Sequence, residues 1–599
     1  MKALEDIPIK LVYLTLFLFL IDLGQAQGLN HFLSQINRDE ENPLPEDDIY
    51  ALEYIENHFR ELNPFFISQI EKMTFLDEND IQQFKSQKEL SAISKKQLSN
   101  NGELFFEFIE TLNKQRSIGD IHIKQYFTFK NDVQYRWTSR LNKENKAIGL
   151  LVERDAFETQ ALDHVGLYIG IKTDKGEIIV GDYQINHAYG LLLWRSVPVK
   201  KGIGSIGQLS RRGKGLRPYK SSHENWAIRG LAYQWGTEKG QFLVSIGYTD
   251  RDGSIDTLGS YSIYETGIHV SATELGRKDG ISENSLIVNY EHTFKLGVFG
   301  LCVLYANLKD KGKNFVETKG QSIYFDSKIK QVRLFGEFAL GHQNTSASYF
   351  GIKTDNRQFK YVAILRNYSP EYFSLRSNPS TEWSSKSAGE RGIYQGFTFK
   401  LNRHRITFYN DLFRKQISTS IEAFPESGLE SGIQYEWRAS KTIVRVRFKT
   451  EKKTRSTPQF IGEVYSNNNL TNRYQATTYH SYAKDLKSKL QINITESNED
   501  IGYGINYRLD KNWHQWNFIF DGTSSSVESF DARIYFWDVN LPGEMRSRMV
   551  SFSGHNLGFR FSYSNNSYRL SMRLSSTWKN LNFKIKPVVS SGLLLESFF

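Results

Sequence analysis

Five cationic side chains lie close together between residues 211 and 220, with two glycines among them. They are Arg211, Arg212, Lys214, Arg217 and Lys220, and the glycines are Gly213 and Gly215. The segment is not a phosphate-binding loop of the nucleotide-hydrolase type, because the spacing of that loop and its following Ser or Thr are absent. Two interpretations stay open. The segment attracts anions into a water-filled channel, or ion pairs with acids such as Asp182 and Glu224 hold it in place as a loop, since buried charges are usually paired.

His269-Val270-Ser271 has the two-residue His-to-Ser spacing of an outer-membrane phospholipase. A lipase site must face lipid, whereas the apolar Ile268 and Val270 would mark the lipid face and turn His269 and Ser271 toward water. The Asn-Gly expected after the Ser is also missing. No metal-ligand spacing stands out among the 13 His, and the lone Cys302 excludes an intrachain disulfide. The sequence therefore predicts a non-enzymatic chain with no catalytic residue, metal ligand or cofactor.

Residues 1–26 are predicted to be a secretory signal peptide. Lys2 and Lys10 precede an apolar run over 11–21, and Gly24 and Ala26 supply the small residues of a cleavage site. No later stretch approaches the ~20 apolar residues of a membrane helix. A membrane protein without such helices must be a closed barrel.

Residues 27–118 are predicted to form a small all-α periplasmic domain, because apolar residues recur there at helical spacing. Asn63-Pro64 ends one predicted helix and Asp77 caps another. The apolar positions are Ile49, Leu52, Ile55, Phe59 and Leu62, then Ile81 and Phe84, then Leu104, Phe105, Phe108, Ile109 and Leu112.

From residue 119 to the end, the period of the apolar pattern changes to two. Apolar side chains alternate with polar or charged ones in stripes such as Val444, Val446 and Phe448 against Arg445, Arg447 and Lys449, and Leu490, Ile492 and Ile494 against Gln491, Asn493 and Thr495. Charged residues on the inner face would be costly in a packed sandwich core and are ordinary in a water-filled lumen.

Composition agrees with such a wall. The chain is 14% aromatic, yet its mean hydropathy is −0.49. We therefore predict a mainly β fold in which residues 119–599 form a large antiparallel, porin-like transmembrane barrel in the outer membrane. At about 20 residues per strand and turn, it has about 20–26 strands. Asp250-Arg251-Asp252-Gly253 and Asn565-Asn566-Ser567 are predicted hairpin turns.

The order of three stretches, over 181–194, 211–219 and 221–230, resembles a Bacteroidota family that joins a signal peptide, a periplasmic helix-hairpin-helix region like that of competence DNA receptors, and a C-terminal barrel. Asn63-Pro64 and residues 75–78 resemble its helical segment. The resemblance implies an outer-membrane location. Its family-motif or lumen candidates are Gly181, Asp182, Tyr183, Gly190, Arg211, Arg212, Gly213, Gly215, Arg217, Pro218, Tyr219, Glu224, Asn225 and Arg229.

Charge argues against nucleic acid as a partner of the helical region. Residues 28–118 hold 9 Lys+Arg and 17 Asp+Glu, a net of −8. Because the whole chain carries +10 and residues 1–27 carry −1, residues 119–599 carry +19. DNA affinity depends on basic residues that neutralise phosphates. The hairpin at Thr74-Phe75-Leu76-Asp77 also lacks the glycines that would let backbone N–H groups meet phosphates.

Three functions follow as hypotheses. The first is a non-enzymatic barrel in transport or in outer-membrane assembly and export, whose helical domain docks a periplasmic or outer-membrane protein partner while the barrel contacts lipid. The second is a component of DNA uptake. The third is an outer-membrane hydrolase.

Overall fold

Strands form most of the chain from residue 120 onward in the computed structural model of the protein. The structure describes residues 52, 55, 70, 73, 76, 78–87, 92–114, 120–130, 132–143, 145–160, 162–173, 175–194, 202–203, 206, 209–213, 215–237, 239–256, 259–312, 314–356, 358–382, 389–417, 424–458, 464–483, 485–544, 546–565, 567–581 and 586–598. The predicted signal peptide, Asn63-Pro64 and most of the predicted hairpin at 74–77 lie outside these residues. Among the described residues, no helix is long and apolar enough to span a membrane.

In the described part of the chain, two α-helices precede the strands. They are α1 (Glu78–Ser86) and α2 (Asn100–Lys114), and a third helix, α3 (Ala272–Arg277), lies in a later loop. The rings of Phe84 and Phe105 meet edge to face at 5.4 Å between centroids, so α1 and α2 pack through the faces that their helical spacing makes apolar.

The first half of the strand-forming region, residues 120–368, consists mostly of antiparallel neighbours. Its strands are β1 (Asp120–Phe129), β2 (Val133–Lys143), β3 (Lys146–Arg154), β4 (His164–Thr173), β5 (Gly176–Asn186), β6 (Gly215–Pro218), β7 (Ile228–Thr237), β8 (Gly240–Arg251), β9 (Gly253–Ile255), β10 (Tyr261–Ile263), β11 (Ile281–Phe294), β12 (Gly297–Asp310), β13 (Phe315–Ile329), β14 (Val332–Leu340), β15 (Ser346–Asp355) and β16 (Phe359–Tyr368).

The second half continues in the same way. Its strands are β17 (Glu390–Leu401), β18 (His404–Lys415), β19 (Ser427–Arg438), β20 (Thr442–Pro458), β21 (Val464–Ala483), β22 (Leu486–Ser497), β23 (Asp500–Trp513), β24 (Trp516–Val527), β25 (Ile534–Trp537), β26 (Ser547–Val550), β27 (Gly554–Ser564), β28 (Tyr568–Trp578) and β29 (Val588–Phe598).

The wall is a closed antiparallel barrel of 24 strands, as predicted. The short β6 adds to β5, while β9 pairs with β10 and β25 with β26 as separate ribbons. Asp250-Arg251-Asp252-Gly253 is not the hairpin turn that we predicted, because β8 runs to Arg251 and Gly253 begins β9. An Asp-Gly pair thus opens a long loop here.

Closure joins the first strand to the last. β1 pairs with β29 from His122↔Phe598 to Phe129↔Ser591. The buried Glu596 carboxylate lies across this seam, 2.8 Å from Lys124 Nζ. The ring leaves no exposed edge, as a membrane wall requires.

The two rims of the barrel differ. At one rim, where β1 begins and β29 ends, the connections are two or three residues long; at the other rim they include the long segments 155–163, 187–227, 252–280, 369–389 and 528–553. Outer-membrane barrels have short periplasmic turns and longer extracellular loops. The long segments therefore lie on the extracellular side.

The two faces of the wall meet different solvents. Ile492 is 42% exposed, whereas its neighbour Gln491 is 1% exposed and points inward. The same contrast holds for Val446 beside Arg445. Apolar side chains are exposed outward because they face hydrocarbon. The chain is therefore an integral outer-membrane barrel.

This polarity of the wall predicts the effect of a charge placed on either face. Ile492→Arg puts a cation in hydrocarbon and lowers the free energy of unfolding by about 2–4 kcal/mol. Gln475→Arg, at the same depth on neighbouring β21 but facing inward, changes it by far less. Denaturant unfolding from lipid vesicles measures both variants. Equal destabilisation by the two would contradict the assignment of faces.

Candidate functional site

One long connection, between β5 and β7, folds back into the barrel. Its apolar residues pack against tyrosines and phenylalanines on the inner face of β13–β18. Tyr349 on β15 donates a hydrogen bond to the carbonyl of Leu209 at 2.8 Å, and Tyr394 on β17 donates one to Gly202 at 3.1 Å. We call residues 187–227 the inner segment. The wall thus holds the inner segment both by hydrogen bonds to its backbone carbonyls and by packing against its apolar side chains.

A buried carboxylate of the wall also holds the inner segment, by accepting hydrogen bonds from its backbone N–H groups. Glu337 on β14 is 1% exposed, and its Oε2 accepts hydrogen bonds from the N–H groups of Tyr189 (2.8 Å) and Leu191 (3.1 Å). Tyr372, from the loop between β16 and β17, donates to the Leu191 carbonyl at 2.5 Å. Charge-assisted hydrogen bonds of this kind are about twice as strong as neutral ones.

A second segment lies against the other half of the inner wall. We call residues 528–553 the second segment. Asn493 on β22 donates to the carbonyl of Tyr535 at 2.6 Å, and Arg508 on β23 donates to that of Trp537 at 3.0 Å. Both halves of the lumen are thus lined by chain that returns from the extracellular rim.

The motif residues around Gly181 serve the wall itself. Gly181 has φ +96°, and an added Cβ would lie 2.2 Å from the Leu167 carbonyl oxygen, so only glycine fits this break in the ladder. Beyond the break, Asp182 accepts the Leu167 N–H at 3.0 Å. Arg229 binds both oxygens of Asp182, at 2.7 and 3.0 Å, and donates to the Val165 carbonyl. The Asp182–Arg229 ion pair thus supplies hydrogen-bond partners to the β4 backbone groups of Val165 and Leu167, which have none on β5.

The other motif residues position the inner segment at its start and end. The hydroxyls of Tyr183 and Ser245 share a hydrogen bond of 2.8 Å within the wall. Gly190 makes a turn with φ +86°. An added Cβ at Gly213 would lie 2.3 Å from the Asn186 carbonyl oxygen, so two chain segments approach closely there. Gly215, Arg217 and Pro218 lie in β6, and the hydroxyl of Tyr219 donates to the carbonyl of His223 at 2.7 Å.

The basic part of the inner segment contacts aromatic rings. The Arg212 guanidinium lies 5.9 Å from the ring centroid of Tyr324, and Arg211 lines a small cavity beside Tyr189. The acids that we had named as its partners are engaged elsewhere: Asp182 by Arg229, and Glu224 by a cluster at the rim.

A buried ion network lies where the inner segment returns to the wall. Glu283 on β11 sits between Arg251, which is ion-paired with it, and Arg376, whose Nη2 is 2.7 Å away; all three side chains are 0% exposed. Arg251 also donates to the carbonyl of Asn225 at 2.6 Å. Sequence reasoning missed this network, since its members lie on three distant segments.

The rim cluster is a histidine held between carboxylates. His269 is 3% exposed; its Nδ1 lies 3.0 Å from Asp163 and its Nε2 3.1 Å from Asp252. Its backbone N–H donates to Glu158 at 3.0 Å. Asn225 donates to the Asp252 carboxylate at 2.9 Å, which ties the inner segment to the cluster.

The cluster shifts the pKa values of its members in opposite directions. Burial opposes the charge of His269, but its hydrogen bond to Asp163 and the charge of Asp252 outweigh burial and raise its pKa. Burial, followed by the charge of Asp163, raises the pKa of Glu224 to about 9. Burial raises the pKa of Asp163 less than the hydrogen bonds from Lys278 and His269 lower it. These shifts favour a proton on both His269 and Glu224, which lie among the connections 155–163, 187–227 and 252–280.

His269 and Ser271 do not form a lipase pair. They lie in a loop rather than on a strand, and the Ser271 hydroxyl caps α3 by accepting the Glu274 N–H. Both ring nitrogens of His269 face carboxylates.

Some of these residues lie close enough to share a metal ion. In the described part of the chain the groups are Glu158, Asp163 and His269; Glu224, Asp252 and His269; and, inside the lumen, Glu382, Glu430 and Glu451. The raised pKa of His269 disfavours the neutral imidazole that a metal needs. Lys449 and Lys453 already neutralise Glu451, at 3.4 and 2.5 Å.

Comparison with known proteins gives fold similarity alone. No family model matches the sequence, and no curated protein matches it. The solved siderophore receptors PirA from Acinetobacter baumannii and Pseudomonas aeruginosa have TM-scores of 0.39 and 0.43 at 9% and 8% identity, with 80% and 81% of each chain covered. The copper transporter OprC has a TM-score of 0.42 at 7% identity, with 80% of each chain covered.

The resemblance to a Bacteroidota helix-hairpin-helix family is wrong. No family model matches the sequence, that of a helix-hairpin-helix family included. The residues that suggested the family meet local demands of this barrel. Gly181 permits the break in the ladder, and Asp182 with Arg229 repairs it.

The cluster predicts that the extracellular loops loosen as pH rises. Raised pKa values of His269 and Glu224 mean that their stabilisation is complete at low pH and is lost as pH rises toward about 9. Hydrogen exchange of amides in 252–280, corrected for the intrinsic effect of pH, is expected to be faster at about pH 9 than at about pH 6. Glu224→Gln, which stays neutral, flattens this dependence, whereas the distant control Asp531→Asn does not. A pH dependence unaltered in Glu224→Gln would contradict the assignment.

Proposed function

We propose that the chain is a non-enzymatic transport barrel whose passage is gated by the inner segment and the second segment. The observation that carries the proposal is the anchoring of the inner segment by Glu337, which holds two of its backbone N–H groups against the wall. A channel that stays open does not need a folded-back segment with its own anchors.

The anchors are suited to release as well as to closure. The inner segment is held by discrete hydrogen bonds from Glu337, Tyr349 and Tyr372 to its backbone. Each such bond contributes about 0.5–3 kcal/mol. When a few of these hydrogen bonds are lost on one side of the inner segment, the segment can move. The backbone hydrogen bonds between the strands of the wall stay intact.

The rim cluster lies at the extracellular mouth, where an arriving solute can contact it. Asn225 joins the inner segment to Asp252, and Glu224 of the same segment lies against His269. A solute that displaces a carboxylate here changes the support of the inner segment directly. Extracellular capture and movement of the inner segment are thereby coupled through neighbouring residues.

The periplasmic region 27–118 is proposed to dock a protein partner. Its net charge of −8 favours a basic protein surface and disfavours nucleic acid. In this role the region transmits a signal or a force from the periplasm to the barrel. DNA uptake is the second candidate, and the same charge stands against it.

Removing the Glu337 anchor tests the gate. Glu337→Ala frees the N–H groups of Tyr189 and Leu191, so single-molecule conductance in planar bilayers is expected to rise several-fold, with frequent open events. Glu317→Ala removes an outward-facing carboxylate on neighbouring β13 and leaves conductance at the wild-type level. Wild-type conductance in Glu337→Ala, with the barrel folded, would show that the inner segment is not a gate.

Binding of duplex DNA by the detergent-purified full chain separates the two candidates. At low salt we expect no mobility shift, because the acidic region repels phosphates. Tight binding that weakens steeply as salt is raised would favour DNA uptake over protein docking.

A further inference from the structure

A groove of about 510 Å³ lies on the outside of the barrel, across strands β17–β20. Ile393 and Leu412 are 41% and 50% exposed on its wall, and Leu429 continues the same row. The backbone at Gly392 and Gly428 contributes to its lining. The groove is apolar where it faces hydrocarbon.

Three cations border this groove. Arg391 is the second residue of β17 and Arg414 the penultimate residue of β18, so both lie at the extracellular rim, two residues above Ile393 and Leu412. Lys452 on β20 stands opposite Leu429 in the strand register and borders the side of the groove. Two cations above an apolar row and a third beside that row suit a lipid with an anionic headgroup.

These cations lack carboxylates, in contrast to their inward-facing neighbours. Lys453, one residue along β20, lies 2.5 Å from carboxylates of both Glu382 and Glu451. In the part of the chain that the structure describes, no carboxylate lies within ion-pair distance of Arg391, Arg414 or Lys452. Among the described residues, these three side chains therefore offer their charge to a bound anion.

Two of the cations also repel each other. Arg391 and Arg414 are directly opposite in the register of β17 and β18. Like charges in this relation are destabilising. Arg391 is further held by Asn367, which accepts a hydrogen bond from its Nε at 2.9 Å, so the guanidinium stays in this position. An anion between the two would turn the repulsion into a binding site.

We propose that the groove binds a phosphorylated glycolipid of the outer leaflet, with its acyl chains on Ile393, Leu412 and Leu429 and its phosphates on the three cations. Neighbouring strands lie about 4.8 Å apart, so β17 to β20 spreads the cations over about 14 Å. That width exceeds a single phosphate and suits a headgroup with more than one anionic group. The inference does not depend on the proposed gate.

The test is native mass spectrometry of the full chain in zwitterionic detergent with bis-phosphorylated lipid A. The wild type is expected to retain one lipid A. The triple variant Arg391→Ala, Arg414→Ala, Lys452→Ala is expected to bind lipid A with a dissociation constant at least about tenfold higher, which corresponds to about 1.4 kcal/mol, and its occupancy falls accordingly. The control Lys309→Ala, Lys319→Ala removes outward-facing lysines at the same rim of β12 and β13 and retains wild-type occupancy.

Other outcomes are equally decisive. Equal binding of dephosphorylated lipid A would overturn the role of the cations, and equal binding of phosphatidylglycerol would overturn the glycolipid. Occupancy that survives in the triple variant would place the lipid elsewhere. If the triple variant does not fold, Arg414→Gln keeps the side-chain bulk and is expected to show a partial loss; wild-type occupancy in it would also overturn the proposal.

Discussion

Hydrocarbon offers no hydrogen bond, and this constraint shapes the whole molecule. Each backbone N–H and carbonyl in the membrane band must find its partner within the wall, so the sheet closes on itself through β1 and β29. Where the ladder fails, at Gly181, side chains take over: Asp182 accepts an N–H and Arg229 donates to a carbonyl. Asp182 and Arg229 resemble part of a functional motif, but they serve to satisfy backbone groups that the strand pairing leaves without a partner.

Backbone polar groups in the lumen also need hydrogen-bond partners, although the requirement is less strict there than in hydrocarbon. The inner and second segments carry polar backbone into a partly dry space, and the wall meets it with Glu337, Tyr349 and Arg508. Apolar packing holds these segments in place, while hydrogen bonds decide where each one sits. A few positioned groups therefore determine where the two segments lie within the lumen.

Much of the wall could be predicted from the sequence. Alternation such as Leu490, Ile492 and Ile494 against polar neighbours gave the two faces, because side-chain direction in a strand has a period of two. Length, at about 20 residues per strand and turn, gave a range of about 20–26 strands, which contains the observed 24. Helical spacing likewise indicated the apolar faces of α1 and α2, around Phe84 and Phe105.

The candidate sites could not be predicted, since they combine residues from distant loops. His269 meets Asp163 and Glu158, which are more than a hundred positions away. Loops carry no periodicity, so nothing in the sequence pairs these residues. The Asp-Gly at 252–253 misled for a related reason: a turn signal marks a change of direction and does not give the length of the connection.

The seam between β1 and β29 has a consequence for biogenesis. The strand made first must remain without its outer neighbour until the strand made last has emerged, because Lys124 and Glu596 belong to opposite ends of the wall. Contacts between residues so far apart along the chain form slowly, because a long loop must close first. Until the ring closes, β1 and β29 each present an unpaired edge, which is the kind of edge on which other chains can pair.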